Sequence, residues 1–403
     1  MTHPSKLAQG RSYLAIPGPS VIPDAVLQAM HRAAPNIYGG ELVEVTHSVV
    51  ADLKRVARTR HKVAMYLANG HGAWEAALAN VLSPGDLVLV PATGRFGMGW
   101  ADMAQGLGAE TQIIDFGKSS PFDLDRVAEA LRADTGHRIK AVLATHVDTS
   151  SSVRNDIPGL RRVLDDCAHP ALLMVDCIAS LACDRFEMDD WGVDVTVAAC
   201  QKGLMVPPGM SFVFFNPRAE AVRNAMPRVS RYWDWGPRGA PQEYYQHFGG
   251  TAGTHHVYGL RAALDLIHGE GIEAVWTRHE TLARAIWAAC EAWGQEGDFH
   301  LNISDPALRS HAVTAARLSG PDGTRLRNWL SDNIGLTLGI GLGMAPAGDP
   351  AGDAFFRLGH MGHVNGQMIM ALLGGIEAGM AANDIAHGSG ALSAAARVIA
   401  GKA

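Results

Sequence analysis

ALLMVDCIASL (171–181) and VDVTVAACQKG (193–203) are two apolar runs that deliver Asp176 and Lys202 at their carboxyl ends. Continuous apolar runs bounded by polar residues read as strands buried on both faces, as in a parallel sheet. In an open α/β sheet, ligands bind at the carboxyl edge of such strands. An acid and an amine one crossover apart suit pyridoxal phosphate. Its aldehyde condenses with a lysine, and its ring withdraws electrons only while the pyridine nitrogen stays protonated, which a buried carboxylate enforces. Spacing alone equally admits an Asp176 that caps a loop and a Lys202 that sits in solvent.

Outward from these runs, strand-like and helix-like segments alternate. VAMYLANGHG (63–72) reads as a strand entering a glycine turn, with helical periodicity in AWEAALANVL (73–82). DLVLVPATG (86–94), WADMAQGLG (100–108) and TQIIDFG (111–117) read as strand, helix and strand. AVLATHVD (141–148) is a further strand and LRRVLDDCA (160–168) a helix. No segment repeats. The alternation predicts an α/β fold with a mostly parallel sheet flanked by helices. An N-terminal arm is expected over 1–19 and a large cofactor-binding domain over 20–270. HETLARAIWAACEAW (279–293) and RLRNWLSDN (325–333) read as amphipathic helices, interleaved with the short strands HAVTAARL (311–318) and FFRLG (355–359). They predict a smaller C-terminal α+β domain over 271–403. APAGDPAGD (345–353) reads as a flexible loop and GSGALSAAARVIAGKA (388–403) as a fraying tail.

A chain of 403 residues with 47% hydrophobic content can bury a core large enough for two domains. A formal charge of -6 without a basic block gives no electrostatic footprint for nucleic acid. The N-terminus has no apolar segment after a basic start, and no run approaches the roughly 18 residues of a membrane helix. A cytoplasmic protein without membrane partners is expected. The 5 cysteines are odd in number and contain no CxxC pair, so they read as small buried hydrophobes. His255 and His256 are adjacent, His360 and His363 are three apart, and no acid completes an HExxH-like set, so no metal is expected.

Six segments carry a family resemblance: PGPSVIP (17–23), NGHGAWEAAL (69–78), THVDTSSSV (145–153), VDCIAS (175–180), QKGLMVPPG (201–209) and FRLGHMG (356–362). In this order, from about residue 13 to about residue 385, they resemble the class V aminotransferases of the fold-type I pyridoxal phosphate enzymes. More closely they resemble the alanine, serine and aspartate:glyoxylate aminotransferase group. The resemblance implies a sheet of the seven-stranded type in the large domain. It also implies transfer of an amino group from a small L-amino acid to a 2-oxo acid, glyoxylate or pyruvate, by a ping-pong mechanism. Lys202 then carries the cofactor and moves a proton at the substrate Cα, while Asp176 holds the pyridine nitrogen.

The NGHGA turn can be argued independently, since a strand running into a helix collects free N–H groups where a phosphate dianion is welcome. The resemblance places Asn69, Gly70, His71 and Gln201 at that phosphate. Thr251 matches a threonine supplied by the neighbouring subunit, which implies a homodimer with shared active sites, or a tetramer of them. Phe96 matches the aromatic residue stacked on one ring face and Ile178 the residue covering the other. Thr149 matches a hydroxyl residue that bonds the cofactor, with Asp148 beside it. Arg357 matches the arginine that grips the substrate carboxylate by two parallel hydrogen bonds. Gly18 and Tyr38 line the entrance.

Some positions depart from the family. Phe248 stands where relatives carry a tyrosine that reaches the neighbouring phosphate, and Asn69 where they carry a small hydroxyl or glycine. RYWDWGPR (231–238) resembles the serine:glyoxylate branch. Two other reactions use the same Asp/Lys pair. One is a pyridoxamine:pyruvate-type aminotransferase, in which free pyridoxamine is the donor. The other is a fold-type I lyase or desulfurase, against which no cysteine stands in an evident loop opposite Lys202. A regulatory cofactor-binding protein would not need Asp176, Lys202 and Arg357 together.

Overall fold

The computed structural model describes residues 6–402; the first five residues of the N-terminal arm and Ala403 lie outside the described residues. Its strands are β1 (Tyr13–Ala15), β2 (Lys62–Tyr66), β3 (Leu87–Ala92), β4 (Glu110–Asp115), β5 (Ile139–Thr145) and β6 (Leu172–Asp176). They continue with β7 (Val195–Ala199), β8 (Ser211–Phe215), β9 (His300–Leu301), β10 (Val313–Arg317), β11 (Leu336–Ile340) and β12 (Phe355–Gly359). One sheet has 7 strands in the order β2-β8-β7-β6-β5-β3-β4, and the other has 5 in the order β1-β11-β12-β10-β9.

The large sheet is the mostly parallel one the alternation predicts. β4, β3, β5, β6 and β7 run parallel, with Thr145 opposite Asp176 and Asp176 opposite Val197. β6, β7 and β8 are buried at every residue, which is why their sequences are apolar without alternation. β8 (SFVFF), which the pattern along the chain did not mark, runs antiparallel to both β7 and β2. A parallel return needs a crossover of a dozen or more residues, usually a helix, and 200–210 contains none. β7 stops at Ala199, so Lys202 stands on the turn after the strand rather than at its end.

Two further differences have physical causes. The helix expected from 100 begins at Arg95, because its N-terminus is capped from across the sheet. Asp148 Oδ2 accepts from the N–H groups of Phe96 at 2.8 Å and Gly97 at 3.1 Å, and Ser150 Oγ accepts from Arg95 N–H at 3.0 Å. The tail does not fray but forms the helix Ala391–Ile399, whose buried Ala391 and Ala395 belong to the core that the helix Ile272–Gly294 also enters.

Three large buried clusters form the interior, one on each face of the large sheet and one under the small sheet. Ile272, Val275 and Trp276 lie in a core of the large sheet, whereas Leu282, Ile286, Cys290 and Trp293 lie in the core under the small one. A single helix therefore enters both. β1 pairs in parallel with β11, Tyr13 against Leu336, so the start of the chain is part of the small sheet. Among the described residues, no helix is long and apolar enough to cross a membrane.

Candidate active site

Five strand ends meet along one edge of the large sheet. β6 ends on Asp176, the turn after β7 carries Lys202, and the loop after β5 carries Asp148 and Thr149. The turn after β3 leads to Phe96, and the turn after β2 leads to Asn69, Gly70 and His71 at the start of the helix Gly70–Ala79. These are the carboxyl ends of parallel-running strands, the place where an open sheet leaves a crevice.

Asp176 is almost fully buried, with Oδ1 accepting from Ile178 N–H at 2.7 Å and Oδ2 from Trp74 Nε1–H at 3.0 Å. Burial pushes its carboxyl up to about 7, while the two N–H donors and Lys202 pull it down. The Lys202 amine is drawn down to about 8 by burial and by the neighbouring Arg357 charge, against the pull of Asp176. Its Nζ donates to the Pro17 carbonyl. Ser20 straps the same turn, its N–H donating to Gln201 O at 2.9 Å and its hydroxyl to Lys202 O at 2.7 Å. Gly18 has φ +93°, and a Cβ there would lie 2.6 Å from Lys202 Nζ, so only glycine leaves the amine free space.

Asn69 caps the helix, its side chain accepting from His71 N–H at 3.1 Å and Gly72 N–H at 3.3 Å. The His71 ring faces solvent and is held below its ordinary value by burial and by the charges of Arg95 and Lys202. Gly70 sits against Ile178, where a Cβ would come within 2.6 Å of Cδ1. Phe96 meets the Trp74 ring edge to face at 6.2 Å. Arg357 on β12 is buried, with Nε donating to Ile340 O at 2.7 Å and Nη1 to Thr149 O at 2.9 Å. Any parallel pair of bonds to a carboxylate therefore comes from the Nη1 and Nη2 side of the fork.

The residues fit pyridoxal phosphate. Gln201 Oε1, next in the chain to Lys202, is buried and has no partner among the described residues. A buried amine lowered to about 8 and a buried acid raised to about 7 stand on one edge, and missing side chains at Gly18 and Gly70 keep that edge open. Thr251 and Tyr38 do not join the other residues within this chain. Thr251 is exposed on the loop before the helix Thr254–Glu270, and Tyr38 is 91% exposed. Trp74, and the capping role of Asp148, are what motif reading missed. Trp74 follows Gly70 by four residues on one helix, and that spacing placed it on the Gly70 face. A wider cleft of about 1070 Å³, lined by Arg185, Arg309, Trp276 and Trp287, shares no residue with this edge. Arg185 and Arg309 are paired there with Glu187 and Glu291.

Comparison with known proteins agrees with this geometry. The family described as Aminotransferase class-V matches residues 12–349. Serine–glyoxylate aminotransferase of Arabidopsis thaliana is 33% identical over 370 residues, 91% of this chain and 90% of that protein. L-aspartate–glyoxylate aminotransferase of Paracoccus denitrificans is 35% identical over 360 residues, 88% of each. The crystal structure of pyridoxamine-pyruvate aminotransferase from Mesorhizobium loti is similar at a TM-score of 0.87 and 26% identity, covering 97% of both chains.

Proposed function

This chain belongs to the class-V aminotransferases, and from that premise we propose that it moves an amino group from L-serine, L-alanine or L-aspartate to glyoxylate or pyruvate in a ping-pong cycle. It is an enzyme, and its cofactor is pyridoxal 5'-phosphate. The observation that carries the reading is one edge of the large sheet holding a buried Lys202 of lowered basicity and a buried Asp176, faced from the small sheet by a buried, half-committed Arg357. The names of the relatives, serine–glyoxylate and L-aspartate–glyoxylate aminotransferase, support glyoxylate as the acceptor.

When bound, pyridoxal phosphate supplies an electron sink for the charge that develops at the substrate Cα. The rest falls to the chain. Lys202 would hold the aldehyde, and its free amine would carry a proton to and from the substrate Cα. Asp176 keeps the pyridine nitrogen protonated. The N–H groups at Gly70 and His71 hold the phosphate with Gln201, and the phosphate takes the place that the Asn69 cap occupies in the chain alone. Phe96 and Ile178 close on the two ring faces, and Thr149 bonds the ring. Arg357 draws in the carboxylate of donor and acceptor alike, which fixes the Cα bond to be broken. Gly18 lines the entrance beside Lys202. Tyr38 and Thr251, exposed in the single chain, serve the site of a second copy, so the working unit is a homodimer. The free cysteines, four of the five buried, suit a cytoplasmic setting.

The Asn69 cap favours a second reading, in which phosphate-free pyridoxamine is the amino donor, because it already satisfies the His71 N–H assigned to the phosphate and the Gly72 N–H beside it. One experiment separates the two. Absorbance of the purified protein from 300 to 500 nm is recorded with pyridoxal phosphate or pyridoxal, then with each of the three amino acids, then with glyoxylate or pyruvate. A band that is lost in Lys202→Ala, bleached by one amino acid and restored by glyoxylate is expected. A response to pyridoxal and pyruvate alone favours the second reading, and no band with either vitamer overturns both.

A further inference from the structure

Trp74 has no part in the roles assigned above, yet it touches three of the residues that carry them. It is 2% exposed, and its Nε1–H donates to Asp176 Oδ2 at 3.0 Å. Its ring meets His71 edge to face at 4.8 Å and Phe96 at 6.2 Å. With Ile178 N–H on Oδ1, each carboxylate oxygen of Asp176 is held by one donor. A carboxylate oxygen has room for a second hydrogen bond, so Trp74 aims Oδ2 without using up its capacity for the pyridine N–H.

Trp100 shows that packing in this core does not require such a bond. It is stacked on Trp74 at 6.1 Å and 17°, is just as deeply buried, and leaves its own Nε1 without a partner. We propose that Trp74 is a positioning residue, whose indole N–H holds the Asp176 carboxylate in the orientation and ionised form that the cofactor's pyridine nitrogen requires. The inference rests on the cofactor reading given above. The other charged groups that face Asp176 are Asp148, which disfavours its ionisation, and Lys202, which favours it.

Trp74→Phe keeps a buried ring and removes the donor, while Trp100→Phe removes a neighbouring indole that bonds nothing. Affinity of the cofactor-free protein for pyridoxal phosphate is measured by absorbance between pH 6 and 9, without substrate, with folding checked by circular dichroism. Loss of a hydrogen bond to a charged group predicts a Kd raised about tenfold in Trp74→Phe and an acid limb moved up by about one pH unit. Trp100→Phe should show neither change. Trp74→His, which keeps a ring N–H donor, should recover much of the affinity and stands in if the Phe variant does not fold. Wild-type Kd and pH profile in Trp74→Phe, an equal shift in Trp100→Phe, or a His variant no better than a folded Phe variant would overturn the proposal. Wild-type protein that takes up no pyridoxal phosphate overturns the cofactor reading itself.

Discussion

Lys202 has no ion-pair partner at bonding distance among the described residues, and its burial decides its chemistry. Its amine sits at about 8, below the ordinary 10.5, chiefly because of burial. The unprotonated form, which attacks an aldehyde, therefore dominates above about pH 8 rather than above pH 10. Capture of pyridoxal phosphate by the cofactor-free protein should speed up with rising pH and level off just above 8, as followed by stopped-flow absorbance. A rate still climbing steeply at pH 10 would show an ordinary lysine. Asp176, Lys202, Gly70 and His71 were legible because each ends or follows a strongly patterned segment. Trp74 was not, since a tryptophan in an apolar helix reads as core until its indole N–H is seen to face a carboxylate. Tyr38 and Thr251 are exposed within the single chain, so nothing in its own packing marks a role for them.

The elements that escaped the sequence pattern are those whose causes lie elsewhere in the chain. β8 is five residues long, SFVFF, and takes its direction from a connection too short for a crossover. The helix Arg95–Gly106 owes its first turn to Asp148 and Ser150, which are distant in sequence and lie on another strand's loop. Asp148→Ala leaves three helical N–H groups poorly served, since the Ser150 hydroxyl is itself oriented by Asp148 at 2.6 Å. A capping loss of about 1–2 kcal/mol is expected, read as a lower urea midpoint of the cofactor-free protein. Cofactor affinity should fall with it, because Phe96 is the second residue of that helix. An unchanged midpoint would show that the helix end is held by something else.

The whole molecule is joined through the helix Ile272–Gly294, a rod of 23 residues and about 35 Å. Its first turns complete one core and its remainder another. A cut at 270/271, where the pattern of segments suggested a domain boundary, removes Ile272, Val275 and Trp276 from the core under the large sheet. The fragment ending at 270 is expected to lack fixed tertiary structure by near-ultraviolet circular dichroism. The intact chain should melt in one calorimetric transition, and two resolved transitions would show that the cores are independent.

The pairing of β1 with β11 also sets an order in time. Tyr13–Ala15 leave the ribosome more than three hundred residues before the strand they join, Leu336–Ile340, is made. Pro17 and Ser20, which follow β1 and lie on the Lys202 turn, have no anchored strand before them until then. Among the described strands the first in chain order is thus among the last to be paired, and the reactive amine stays uncovered until the strands of the small sheet have been synthesised.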